Sequence, residues 1–367
     1  MELNCPYVHQ GARIGKNGNI TPCSEYNNNE QTGFNSYHHT LQEYWRDFSP
    51  LLDETMKAGK FPSGCRSCEM TEKAGGISLR QRNQWTNRDI ESDQIVLDIV
   101  IGNECNSDCV MCIPEYSSRV ASRLKNNPLD GSNVTIVKWK NDFDHLTHLM
   151  TTKNVGVIKI LGGEPLINQS FLVWLKSDIT QSKKSESRLV LTSNISRGLT
   201  DDIINALSGW KALNFTASID AIDRQFEWIR QGLRWSDIVE NINRIKTIAP
   251  IDITVSHTLG IYSVTGLDKL LMWCDGNHLA AHCLPIYDPG YQHISNSPPA
   301  LLEKVFTDVK SIKLKDRRNQ INRALILRFL QEGISQSTYQ KDLIERYTEY
   351  HNKYRQGVMN PTTLELE

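Results

Sequence analysis

Neither sign of charge is in excess in this 367-residue chain, where 41 Lys and Arg stand against 42 Asp and Glu for a formal net charge of −1. Coating nucleic acid or an anionic membrane needs a clear surplus of Lys and Arg, so neither is expected as the main task, and only a local basic patch stays open. Long apolar runs are missing too, and none approaches the roughly 20 residues of a membrane span. The opening Met1-Glu2-Leu3-Asn4-Cys5-Pro6 lacks the basic and apolar regions of a secretory signal. A cytoplasmic protein with no membrane partner is expected. There is no internal repeat and no low-complexity tract. What remains is an ordinary globular composition, 39% hydrophobic and 23% charged, with ample material for a core. At one domain per roughly 100 to 200 residues, the length predicts two or three domains, or one large α/β domain with an appendage.

Cysteine is the residue present beyond expectation. Nine occur, at positions 5, 23, 65, 68, 105, 109, 112, 274 and 283, and seven of them fall in the first third. In a reducing compartment, thiolate ligation of a metal or cluster is a better reading than a disulfide framework, and an odd total forbids complete pairing. Cys274 and Cys283 stand in apolar sequence without close ligand spacing, as buried structural thiols do.

Residues 1–75 are loop-rich. They contain a hairpin candidate from Ala12 to Pro22 around Lys16-Asn17-Gly18 and a helix candidate from Leu41 to Ala58. Apolar residues are too few there for easy independent folding, so the four cysteines are expected to staple the segment. A polar connection follows over 76–94. From 95 the pattern becomes short apolar strands separated by helical stretches, the mark of repeated βα units and a parallel sheet. The strand candidates are Ile95 to Ile101, Val155 to Leu161, Arg188 to Thr192, Ala212 to Ile219, Ile251 to Thr258 and Leu279 to Ile286. Six units suffice for a partial barrel and fall short of a closed one, and ligands should gather at the carboxyl ends of the strands. Residues 301–367 read as helical.

The first strand candidate runs into Cys105-Asn106-Ser107-Asp108-Cys109-Val110-Met111-Cys112. Three thiolates on one compact loop can hold three irons of a 4Fe-4S cluster and leave the fourth iron without a protein ligand. Structural zinc takes four protein ligands, commonly from two paired knuckles, and fits this spacing poorly. The spacing and its place after a first strand resemble the radical S-adenosylmethionine (SAM) enzyme family, whose cluster loop follows the first strand of a partial (β/α) barrel. The resemblance implies SAM bound at the open iron, reductive cleavage to methionine and a 5′-deoxyadenosyl radical, and hydrogen abstraction from a substrate. It also implies an external one-electron reductant such as flavodoxin or ferredoxin.

Later strand ends extend the resemblance. Leu161-Gly162-Gly163-Glu164-Pro165 resembles the family's GGE motif, in which glycines let the backbone approach the ligand and the carboxylate meets the SAM ammonium group. Met111 matches the position that packs near adenine. Ser193 and Asn194 after the third strand, and Ser218 and Asp220 after the fourth, resemble polar SAM contacts, with Asp220 expected to orient neighbours; helix capping is the plainer role for each. Arg230 matches an arginine that follows the fourth strand in relatives and pairs with a carboxylate, and a surface position is its plainer role. His257-Thr258-Leu259-Gly260 departs from the longer glycine motif of some relatives, so no adenine contact is assigned there.

Cys5, Cys23, Cys65 and Cys68 form a second, complete ligand set. Zinc and a 4Fe-4S cluster both accept four cysteines, so the chemistry leaves the metal open. The spacing resembles the twitch domain, a shortened SPASM domain carrying an auxiliary 4Fe-4S cluster, although here it precedes the barrel where in relatives it follows.

The expected fold is therefore α/β: a partial (β/α)6 TIM-like barrel over 95–300, a twitch-like 4Fe-4S domain over 1–75, and a helical extension over 301–367. Two clusters and SAM are the expected cofactors. The substrate is a peptide, a small metabolite, or a nucleotide or DNA base, and the net change is dehydrogenation, rearrangement or bond formation. Lys310, Lys313, Lys315, Arg317, Arg318, Arg323 and Arg328, against the single acid Asp316, are either phosphate contacts or a solvated helix face. A non-catalytic, zinc-stapled nucleic-acid-binding protein is the competing reading.

Overall fold

A computed structural model describes residues 3–27, 32–73, 77–81, 94–129, 140–196, 199–287, 289–360 and 362–366. Most of the connection expected at 76–94 lies outside the described residues. The chain divides into two compact units. The first comprises Met1–Asn103, Lys138–Thr192 and Asp201–Asn214, and the second Glu104–Val137, Ser193–Thr200 and Phe215–Glu367.

In the first unit the hairpin forms as expected. Strands β1 (Gly11–Ile14) and β2 (Ile20–Thr21) pair antiparallel, and Asn17 and Gly18 take the left-handed conformations that the reversal requires. The hairpin is also part of a larger sheet, because β1 pairs in parallel with β3 (Ile95–Val100), matching Gly11 to Val96 and Ile14 to Ile99. Strand β3 then pairs in parallel with β5 (Val155–Leu161), and β5 with β6 (Arg188–Ser193). All six residues of Ile-Val-Leu-Asp-Ile-Val in β3 are buried, as befits a parallel strand covered on both faces.

The helix expected from Leu41 to Ala58 is two helices, Leu41–Asp47 and Ser49–Lys57. Pro50 explains the break, since in a continuous helix its ring would clash with the Arg46 carbonyl and its missing N–H would leave that carbonyl unbonded. A capping box between Thr40 and Glu43 starts the first helix. The Trp45 Nε1–H donates to the Gly11 carbonyl at 2.9 Å, locking this helix onto β1.

The second unit contains strands β9 (Ile251–Leu259) and β10 (Ala280–Pro285), paired in parallel, with the later half of β7 (Ala212–Ser218) beside β9. A separate two-stranded ribbon joins β4 (Asp108–Cys109) to β8 (Arg230–Gln231). The six strand candidates thus all appear, with mostly parallel pairing and α/β character. Residues beyond 298 form helices Pro299–Ser311, Arg317–Ser335 and Lys341–Asn352. The middle one covers β10: fully buried Asn319 accepts the Ala281 N–H at 2.8 Å and donates to the Leu279 carbonyl at 2.9 Å, and Asn322 donates to the Ala281 carbonyl. Strand edges left bare invite foreign pairing, and this helix removes the exposure. Cys274 and Cys283 are buried. Among the described residues no helix is long and apolar enough to cross a membrane.

Gly11 is a close-approach position: a Cβ there would lie 2.5 Å from the Pro22 carbonyl oxygen and 2.7 Å from the Tyr7 ring. Gly11→Ala is expected to destabilise the chain by about 1–3 kcal/mol, read as a lower denaturant midpoint at unchanged slope. Gly276→Ala, where a Cβ meets nothing within 4 Å, should leave the midpoint unchanged or raise it.

Candidate functional site

The first unit gathers the four N-terminal cysteines. Cys5 precedes the turn Tyr7–Gln10 and accepts the Val8 N–H on its carbonyl; Cys23 follows β2; Cys65 closes the short 3-10 turn Ser63–Cys65; and Cys68 lies in the first turn of helix Arg66–Lys73. All four border one pocket of about 430 Å³, counted to include its open mouth, together with Tyr7, Tyr26, Phe61 and Arg80. Burial pushes the Cys5 thiol up to about 11, with the Cys68 thiol adding to the rise against hydrogen bonding from the backbone. Burial likewise raises Cys65 to about 12 and raises Cys23, and neighbouring thiols raise both further. Four soft donors in one pocket, three of them kept from ionising by burial, suit a cationic centre, which displaces protons and removes the mutual repulsion of the thiolates. The donor set therefore fits a thiolate-bound cluster, whose separate metal atoms each need only one of these sulfurs. Among the described residues, no three cysteine, histidine, aspartate or glutamate side chains converge as ligands of a single metal ion.

The glycine-rich turn after β5 belongs to the same unit. Gly162 and Gly163 take positive φ of 93° and 48°, and a Cβ on Gly162 would lie 2.5 Å from Val100 Cγ1. Only glycine meets both demands at 162. Glu164 is buried, and its Oε1 accepts the Leu166 N–H at 2.9 Å, capping the turn Pro165–Ile167.

The second unit builds the three-cysteine loop. Cys109 is buried within β4, and Cys105 and Cys112 are half-buried. Ser107 Oγ lies 3.4 Å from Cys105 Sγ and 3.3 Å from Cys109 Sγ. Three sets of bonds hold the loop in shape. Ser118 accepts the Cys105 N–H at 3.2 Å, and Ser117, the cap of helix Ser118–Asn126, donates to the Ser107 carbonyl at 3.1 Å. Asn194 donates to Asn106 at 3.0 Å, Asn106 to Ser196 at 2.8 Å, and Ser196 back to Asn194 at 2.7 Å, closing a ring of hydrogen bonds. Pairing of β4 with β8 sets Cys109 opposite Arg230, and Gln292 donates to the Val110 carbonyl at 2.6 Å.

Arg230 lies inside, which excludes the surface role. Its Nε donates to Asp220 at 2.6 Å and its Nη1 to Cys109 Sγ at 3.6 Å. Burial alone would lower its pKa, but the Asp220 carboxylate and Cys109 outweigh burial and raise it. The other Asp220 oxygen accepts the Thr258 N–H at 2.7 Å, so Asp220 orients its neighbours. Burial, and the nearby Cys109 and Cys105, push the Cys112 thiol up. Arg123 donates to Asp108 at 2.7 Å and to the Tyr350 hydroxyl at 2.8 Å. Arg355 donates through Nη1 to the Asp108 and Trp228 carbonyls, both at 2.8 Å, with its Nη2 3.6 Å from the Asp108 carboxylate.

Of the expected contacts, Asn194, Asp220 and Arg230 are bonded into the cysteine loop or to its immediate support. Ser193 is turned to the Ile195 N–H at 2.9 Å, Ser218 holds a half-buried place on β7, and Met111 is half-buried within the loop. Sequence reasoning missed Asp108, Arg123, Gln292 and Arg355, and also Arg80. One signal was available: an aspartate set among three thiolates demands a cation, even when the sequence does not say which.

No protein-family model matches the chain, and no curated protein matches it. Among solved structures it is similar to native anSMEcpe with bound AdoMet, at 15% identity and TM-score 0.40, over 57% of this chain and 56% of that one. It is also similar to Streptococcus suis SuiB bound to S-adenosylmethionine, at 12% identity and TM-score 0.40, over 74% and 58% of the two chains. SuiB bound to the precursor peptide SuiA gives 14% identity and TM-score 0.40, over 77% and 64%. The matched part spans less than two thirds of the length of each of these structures.

The Asp220–Arg230 pair sets an energetic test. Removing one partner strands a buried charge, so Arg230→Met is expected to cost the metal-free chain about 3–5 kcal/mol in chemical denaturation. The double variant Asp220→Asn with Arg230→Met should regain part of that loss, because no uncompensated charge is left. An equal loss in both would show that packing, not charge, is what Arg230 supplies.

Proposed function

We propose that this chain is a radical SAM enzyme, in which Cys105, Cys109 and Cys112 hold a 4Fe-4S cluster. The observation that carries the reading is the three-sulfur loop itself, braced by Arg123 at Asp108 and with a guanidinium N–H of Arg230 directed at Cys109 Sγ. When bound, such a cluster supplies an open iron for SAM and the electron that cleaves its sulfonium, and the resulting 5′-deoxyadenosyl radical takes a hydrogen atom from substrate. The chain's own residues bind and orient. Glu164 receives the SAM ammonium group, while Gly162 and Gly163 keep the backbone free of side chains there. Ser193, Asn194 and Ser218 offer polar contacts to ribose and carboxylate, and Met111 offers an apolar one to adenine. Arg230, fixed by Asp220, holds the charge of the Cys109 thiolate. Strands β3, β5, β6, β7, β9 and β10 correspond in this reading to a partial (β/α)6 barrel spanning 95–300, with 301–367 as its helical extension.

Cys5, Cys23, Cys65 and Cys68 hold an auxiliary 4Fe-4S cluster in a twitch-like segment over 1–75, and an external one-electron carrier reduces the enzyme. For the substrate, a peptide or small metabolite is favoured over nucleic acid. Three of the seven cations of the basic segment are engaged locally: Arg318 pairs with Asp316 and Asp252, Arg328 with Glu332, and Arg323 donates to the Ile312 carbonyl. Cations already paired release fewer counterions from a phosphate backbone.

Metal content tests both sites. Anaerobically reconstituted protein should hold about eight irons, falling to about four when either cysteine set is changed to Ala. Stoichiometric zinc at the N-terminal set would remove the auxiliary cluster and favour the zinc-stapled alternative.

Reactivity tests the loop separately. Reduced protein should convert SAM slowly to 5′-deoxyadenosine and methionine, and Cys109→Ala should abolish the conversion. Glu164→Ala should weaken SAM binding while leaving the iron content intact. Reductive cleavage that survives Cys109→Ala would overturn the assignment.

A further inference from the structure

Arg80 borders the four-cysteine pocket and is only 8% exposed. Its Nη1 donates to the Asn4 carbonyl at 2.9 Å, next to Cys5, and its Nη2 donates to the Glu72 carboxylate. These two bonds fix the guanidinium plane, and Phe61 of the same pocket lies with its ring 5.4 Å from Arg80 Cζ. The third nitrogen, Nε, is buried and has no hydrogen-bond partner among the described residues. Buried donors are almost always satisfied, and one left over on a residue that borders the four-cysteine pocket calls for an acceptor.

We propose that Arg80 donates its Nε–H to an iron–sulfur cluster held by Cys5, Cys23, Cys65 and Cys68, and thereby raises that cluster's reduction potential. The inference rests on reading the N-terminal set as a cluster site and adds to it a residue that sets the cluster's redox properties. Reduction adds one negative charge to the cluster, so an N–H directed at a cluster sulfide or thiolate stabilises the reduced state more than the oxidised one. Hydrogen bonds to sulfur are among the factors that set the potential of such clusters. Glu72 offsets part of the Arg80 charge, so the directional N–H carries the effect.

The test uses the full-length chain with Cys105, Cys109 and Cys112 changed to Ala, so that only the N-terminal cluster is observed. In a potentiometric titration followed by electron paramagnetic resonance, Arg80→Lys keeps a cation but lacks Nε–H. It should lower the midpoint by at least 59 mV, a tenfold change in a one-electron equilibrium constant. Glu72→Gln keeps Nε–H and should leave the midpoint at or above that of the parent. A loaded Arg80→Lys cluster with an unchanged midpoint overturns the proposal, and so does a fall in Glu72→Gln equal to that in Arg80→Lys. If Arg80→Lys does not load, the parent protein grown on 15N-arginine decides. Electron–nuclear double resonance of its reduced cluster should show an arginine 15N coupling, and absence of that coupling overturns the proposal. Zinc, or no reducible cluster, at the four cysteines instead refutes the cluster reading on which the proposal rests, an outcome distinct from an unchanged midpoint.

Discussion

A carboxylate placed among thiolates governs how the second unit is assembled. Asp108 sits between Cys105 and Cys109 with its side chain 14% exposed, where unpaired negative charge is costly. Arg123 comes from the adjoining helix, and Arg355 from near the end of the chain. Because Arg355 also bonds the Trp228 carbonyl, the need for charge balance ties together the loop, the approach to β8 and the C-terminal region. Asp220 and Arg230 repeat the arrangement at Cys109. Three guanidinium groups against two carboxylates leave one positive charge beside three sulfur atoms. Such a surplus lowers the cost of holding those sulfurs as thiolates.

The first unit meets a similar demand with a different construction. Its four cysteines come from a loop, the end of a hairpin, a 3-10 turn and a helix, and the hairpin among them is itself a member of the sheet. Cys5 and Cys23 pack against the Tyr7, Val96 and Val157 cluster, so sheet residues form one wall behind the sulfurs. Residues 1–73 therefore do not rely on cysteine alone for their stability. Their shortage of apolar residues is offset by borrowing a face of β3 and β5.

Much of this was legible from the sequence. The six apolar segments became strands because β-rich runs of that length, separated by helical stretches, have few other ways to bury themselves. Asn17-Gly18 set the hairpin, since both positions need positive φ. Pro50 was equally visible, and its break in the helix follows from local sterics, yet periodicity alone runs straight through it. The partners of Asp108 were not legible, because Arg355 lies 247 residues away and no local pattern distinguishes it from the other arginines. The same holds for Asn319, whose place on the β10 edge depends on where a distant helix comes to rest. Arg80 was hidden for a different reason: it stands in a polar run that reads as a mere connection.

The parallel pairing of β1 with β3 also imposes an order on synthesis. Cys5 and Cys23 leave the ribosome early, but the strand that flanks β1 is not translated until residues 95–100, after Cys65 and Cys68 have followed. A parallel neighbour so far along the chain is a non-local contact, which forms late because the intervening loop must first be closed. The Val96 side chain against which Cys5 and Cys23 pack is therefore absent from the nascent chain while all four sulfurs are already out. Until β3 has been translated, Cys5 and Cys23 therefore lack the sheet packing that backs them in the folded unit.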